Sequence, residues 1–123
     1  MFVVEASDYA DGILGRLQHD RALVPAIWPL EVANGLLVAA RRGRLRASEL
    51  PRVRKLLEPL PIGIDVIELR TATGEVLEAA RAFELTAYDA AYLSLAARHG
   101  LALATADARL AAACRKNEVE LIS

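Results

Sequence analysis

The sequence is poor in the residues on which many chemistries depend. A single cysteine, Cys114, and two histidines, His19 and His99, stand among 123 residues. One thiol provides neither a disulfide framework nor a thiolate metal cluster. The two histidines, each near an expected helix end, lack the spacing of paired metal ligands. Aromatic residues amount to 5%, too few for an all-β sandwich, whose strands draw on aromatic and β-branched side chains. Neither sign of charge prevails: 15 Lys+Arg against 16 Asp+Glu leave a formal net charge of −1. A polyanionic partner must therefore be met by a local patch rather than by the field of the whole molecule. Long apolar runs are missing as well. Ala22–Leu30 and Val32–Ala40, the longest stretches free of Asp, Glu, Lys and Arg, fall well short of the roughly 20 residues that span a bilayer, so no membrane partner is expected. The start, MFVVEASD, has no basic segment followed by a long apolar one, as a signal peptide would. A cytoplasmic location is expected. No Gly-x-Gly-x-x-Gly, P-loop or Gly-x-Ser-x-Gly occurs, which argues against nucleotide binding and serine hydrolysis.

What is abundant is small and apolar. Hydrophobic residues reach 54%, with 24 alanines and 20 leucines, and charged residues 25%. Such a chain buries a core rather than staying disordered, and its length suits one domain over residues 1–123. Apolar spacing alternates between strand and helix patterns. Phe2–Val4, Ala22–Pro25, Ile62–Val66, Leu101–Ala104 and Val119–Ile122 are predicted as strands. Helices are predicted from about Asp8 to His19, from Pro29 to a stop at Gly43, over Ala47–Leu57, around Val76–Phe83, from a Thr86 cap to Gly100, and over Ala108–Lys116. Strands separated by helices imply an α/β fold, with a parallel sheet and helices on both faces.

In such a sheet ligands bind beyond the carboxyl ends of the strands, and three acids fall there. Glu31 lies in the first turn of the helix after the second strand. Asp89 lies in the first turn of the helix opened by Thr86, and Asp107 follows the strand Leu101–Ala104 directly. Each has another reading. Thr86-x-x-Asp89 matches a capping box, Asp107 an N-cap, and Glu31 favours the helix dipole. Together they have a different weight, because three carboxylates on one pocket repel one another unless a cation lies between them. Oxygen-only ligation suits Mg²⁺ or Mn²⁺ rather than zinc.

The segments Pro29-Leu-Glu31-Val-Ala-Asn34, Leu85-Thr-Ala-Tyr-Asp89-Ala-Ala-Tyr92 and Leu103-Ala-Thr105-Ala-Asp107-Ala-Arg-Leu110 resemble those of PIN-domain ribonucleases, specifically VapC-type toxins. The resemblance runs over about residues 20–122. It implies a PIN-like three-layer α/β/α fold and a Mg²⁺- or Mn²⁺-dependent endoribonuclease that cleaves RNA. It also implies a homodimer and a cognate antitoxin that holds the enzyme inactive. Glu31, Asp89 and Asp107 would be the metal-site acids, Thr105 would orient carboxylates or water, and Asn34 would either hydrogen-bond into the pocket or lie on the helix surface.

The N-terminus departs from that family. Its first strand ends in Asp within a motif like Asp-Ala-Ser, followed by a helical segment that is shortened or missing here. Either Glu5 replaces the Asp, with Ser7 retained, or the Asp is absent and Glu5 belongs to the downstream helix. The close match of the remainder favours the second alignment. A Glu in the first position reaches one methylene further than Asp, which matters to Mg²⁺ with its demand for near-ideal geometry. The alternative function is thus a catalytically impaired PIN-like binding module that still pairs with itself or an antitoxin. Between Arg41 and Lys55 lie seven of the fifteen basic residues, among them Arg41, Arg42, Arg44 and Arg46. These read either as an RNA-contacting edge beside the acids or as solvated helix ends. Tyr88 and Tyr92 read as core or as pocket wall, and Trp28 as the apolar lead-in to the Glu31 helix or a subunit contact.

Overall fold

The structure, a computed structural model, describes residues 1–7 and 11–122. Four parallel strands form its sheet: β1 (Phe2–Val4), β2 (Ala22–Pro25), β3 (Ile62–Asp65) and β4 (Leu103–Ala104), in the order β3-β2-β1-β4. The register pairs Val3 with Leu23 on one side and with Leu103 on the other. The central strand β1 is therefore where the chain, having added β2 and β3 to one side, crosses back to add β4 to the other. A crevice at such a reversal is the usual ligand site of an open parallel sheet.

Strand alternation distributes the core over two faces. Val3 joins Tyr92, Leu93, Leu103, Leu110 and Cys114 on one face. Phe2 and Val4 join Ile13, Leu17, Val24 and Ala104 on the other. The first face is covered by α6 (Ala87–His99) and α7 (Ala108–Lys116). In α6 every residue from Ala90 to Ala96 is buried, which accounts for an apolar pattern that runs all round the helix. The second face is covered near the N-terminus by α1, described over Asp11–Arg16. The expected start of that helix at Asp8 lies outside the described residues, and its expected end at His19 is cut back to Arg16.

Other boundaries differ in instructive ways. Helix α2 covers Trp28–Arg41 with its proline in the first turn, and Gly43 takes the left-handed conformation, φ 72°, of a helix stop. The expected helix Ala47–Leu57 divides into a 3₁₀ turn, Ala47–Glu49, and α3, Leu50–Leu57. The helix expected around Val76 begins earlier: α4 (Leu69–Thr71) passes through a π segment (Ala72–Val76) into α5 (Leu77–Phe83). The two C-terminal strands are shorter than expected. Only Leu103 and Ala104 of the apolar run form β4, and Val119–Ile122 contributes a single bridge, Leu121 to Leu103. A buried apolar run favours an extended, covered segment, but it does not guarantee a partner strand along its whole length. No helix among the described residues is long and apolar enough to cross a membrane.

Candidate functional site

Because the strands are parallel, their carboxyl ends share one edge of the sheet, and the central strand presents Glu5 there. Glu5 is not part of the downstream helix; it follows β1 directly and is 7% exposed. This corrects the alignment favoured from sequence. A buried carboxylate is costly unless hydrogen-bonded, and Glu5 is. Its Oε2 accepts from the Ser7 backbone N–H at 2.8 Å, from the Ser7 hydroxyl, and from the Thr105 hydroxyl at 3.2 Å. The last bond spans the crevice between β1 and the end of β4.

Thr105 and Ser7 each work in two directions. The Thr105 hydroxyl oxygen accepts the Asp107 N–H at 3.0 Å, and the Ser7 oxygen accepts the Ala106 N–H at 3.2 Å. Two hydroxyls thus fasten the loop after β4 to the end of β1. Asp107 caps α7, its Oδ1 accepting the Leu110 N–H at 2.9 Å. The capping and site readings of Asp107 are compatible, since the cap occupies one oxygen only. Thr86 caps α6 in the same way, accepting the Asp89 N–H at 3.1 Å, which leaves the Asp89 side chain half-buried in the first turn. Glu31, in the first turn of α2, accepts a 2.5 Å hydrogen bond on Oε1 from the hydroxyl of Tyr92. Asn34 lines, with Glu5, Ser7, Glu31 and Tyr88, a cleft of about 450 Å³.

The electrostatics tie these acids together. The carboxyl of Asp89 is held above the ordinary 3.8, first by burial, then by the negative charges of Asp107, Glu5 and Glu31, with the Thr86 hydroxyl working the other way. Three other carboxylates therefore act on Asp89 at this edge, a charge pattern that a divalent cation relieves. Among the described residues no three His, Cys, Asp or Glu side chains are arranged to grip an ion. Mg²⁺ and its kin do not need three, since they commonly take one or two carboxylates and keep several waters. The donor set fits such an ion in its oxygen chemistry and its charge.

Two sequence expectations lie elsewhere. Arg41, Arg42, Arg44 and Arg46 are exposed, but they follow the far end of α2. At 1.5 Å per residue, Arg41 stands about 15 Å along the helix axis from Glu31. The run is therefore not directly beside the acids. The larger concavity is also not at the acids. It is a groove of about 1000 Å³ between α2, α3 and β3, floored by Trp28, Val32, Leu36 and Ile62 and edged by Arg54 and Lys55. The Trp28 Nε1 is buried there without an acceptor among the described residues. Sequence reasoning left Tyr92 between core and pocket wall. The usable signal was its position three residues after Asp89, on the same face of α6.

An open parallel α/β sheet with acids gathered at its switch point is an architecture that can seat a cation. The PIN-domain family profile matches residues 2–116, and the chain belongs to that family. PIN domains are generally nucleases and usually work with a divalent metal. A similar solved structure is that of PAE2754 from Pyrobaculum aerophilum, 31% identical, with a TM-score of 0.73 over 91% of this chain and 78% of that one. No curated protein matches the chain.

Proposed function

We propose that this PIN domain is a Mg²⁺- or Mn²⁺-dependent endoribonuclease of the VapC toxin type, acting in the cytoplasm as a homodimer and neutralised by a cognate antitoxin. The observation that carries the nuclease reading is geometric: the Thr105 hydroxyl bonds Glu5 at 3.2 Å and accepts the Asp107 N–H at 3.0 Å, which sets Asp107 beside Glu5, and Glu5 lines one cleft with Glu31. One or two of Glu31, Asp89 and Asp107 would hold the ion directly, with water in its other positions and Glu5 behind them. The ion would supply Lewis acidity and neutralise charge gathering on the phosphodiester. The chain's own part is positional. Thr105 and Ser7 hold Glu5 and the Asp107 loop in fixed relation, and Asn34 faces the cleft where a nucleotide would enter.

The groove between α2 and α3 supports the antitoxin part of the reading. Its apolar floor suits the apolar face of an amphipathic segment, with Lys55 and the Arg54–Glu58 pair at its edge. It opens on the sheet face whose N-terminal cover is α1.

The test is cleavage of a labelled single-stranded RNA. Cleavage is expected with Mn²⁺ or Mg²⁺, none with EDTA, and a fall to background in Asp89→Asn with the circular dichroism spectrum unchanged. Unchanged cleavage by a well-folded Asp89→Asn protein would reject the proposed site. A second reading, a binding module without chemistry, draws on the Glu that stands in the first-strand position with one oxygen already tied by three donors. A folded wild-type chain that neither binds Mn²⁺ nor cuts RNA selects that reading.

A further inference from the structure

Tyr92 is fully buried on α6, yet its hydroxyl reaches out of the core to a carboxylate on another helix. The ring packs with Val3, Leu103 and Leu110 in the core on one side of the sheet, and the oxygen ends at Glu31 Oε1, 2.5 Å away. We propose that Tyr92 is a positioning residue of the acidic site, fixing Glu31 in the rotamer from which it serves the cation, an inference that rests on the metal-site reading above. Two features argue for this role rather than for simple packing.

The first is geometry. Tyr92 lies one turn after Asp89 on the same face of α6, and Glu31 opens α2. A single bond between residues 61 apart in sequence therefore joins the elements that carry two of the site acids. The second is entropy. A glutamate has three rotatable bonds, and holding it in one rotamer costs conformational freedom. A donor anchored in a packed core meets part of that cost before any ligand arrives. The bond engages Oε1, leaving the second oxygen outside it.

Hydrogen-bond partners of metal-ligating groups typically change metal affinity or activity by about 10–100-fold when removed. Tyr92→Phe deletes the hydroxyl alone and keeps the ring. Calorimetric titration of Mn²⁺ into the metal-free full chain is the test, with wild type, Asp89→Asn, Tyr92→Phe, Glu31→Gln and the double variant Tyr92→Phe/Glu31→Gln compared. Binding is expected in wild type and absent in Asp89→Asn. It is expected to be about 10–100-fold weaker in Tyr92→Phe, whose melting should stay cooperative. In the Glu31→Gln background the Tyr92→Phe change should have no further effect, because the tyrosine acts through Glu31. A purely structural bond would weaken both backgrounds equally, and that result overturns the proposal. So does Mn²⁺ affinity in Tyr92→Phe equal to wild type, which leaves the metal site itself standing. A Tyr92→Phe chain that fails to fold shows the hydroxyl to be structural and also overturns it. No binding by folded wild type rejects the metal-site reading together with this inference.

Discussion

At Asp89, charge and stability pull against each other. Its carboxyl sits above the ordinary 3.8, mainly through burial and the neighbouring acids. The unfolded chain gives up this proton more readily than the folded one, so above pH 3.8 the folded state binds more protons. Stability is then complete below pH 3.8 and is lost as pH rises through the folded-state value. Asp89→Asn removes the ionising group. In EDTA at pH 7 its Tm is expected to exceed that of wild type by a few degrees, and the difference to close as pH falls toward 3.8. Scanning calorimetry over a pH series measures this, and a gap that persists unchanged in acid would assign the effect to packing instead. The residues involved were legible to different degrees. Glu31, Asp89 and Asp107 could be read because each lies just beyond a strand or inside a capped first turn, positions that sequence marks well. Glu5 was left between two alignments, with the downstream helix favoured. Its place depends on pairing of β1 with β4 about a hundred residues later, a contact that local pattern does not encode. The Tyr92–Glu31 bond was invisible for the same reason, since it joins two helices through the core.

Among the elements, helix ends were read better than strand lengths. Thr86 and Asp107 are side-chain caps, and Gly100 closes α6 at φ 61°, as expected from the residue types. The α4–α5 region was underestimated because its π segment, Ala72–Val76, breaks the 3.6-residue period on which the reading relied. Helix α5 ends at Glu84 with φ 54°, a left-handed residue with a side chain where glycine is usual, so composition gave no stop signal there. Gly100 and Glu84 adopt the same backbone conformation with and without a Cβ. A Cβ at Gly100 would meet nothing within 4 Å, so the cost of Gly100→Ala is confined to the backbone and is about 1 kcal/mol. Urea denaturation is expected to show the midpoint falling with an unchanged m-value. A neutral result would mean that the turn between α6 and β4 relaxes into another conformation.

For the molecule as a whole, direction is what the sequence did not supply. The class, a parallel sheet flanked by helices, followed from the alternation of strand and helix patterns. Which charges lie at which edge depends on the course of each helix. Helix α2 starts beyond the carboxyl end of β2 and runs away from it, so Glu31 and Arg41, close in sequence, are held about 15 Å apart along the axis. That separation makes a prediction specific to the proposed RNA role. Arginines remote from the reacting centre contact phosphates without touching the chemistry, and each phosphate neutralised adds about 0.7 to the salt slope for a single strand. Replacing Arg41, Arg42, Arg44 and Arg46 together by serine should therefore weaken RNA binding and flatten its dependence on KCl by up to roughly 3 in log–log slope. The turnover rate at saturating RNA should stay within about twofold, because an interaction equal in ground and transition states changes KM rather than kcat. Anisotropy titrations across a KCl series, paired with initial rates at saturation, separate the two effects. An unchanged slope would return these arginines to the role of solvated helix ends. A collapse in kcat would place these arginines at the reacting centre and reject the division of roles.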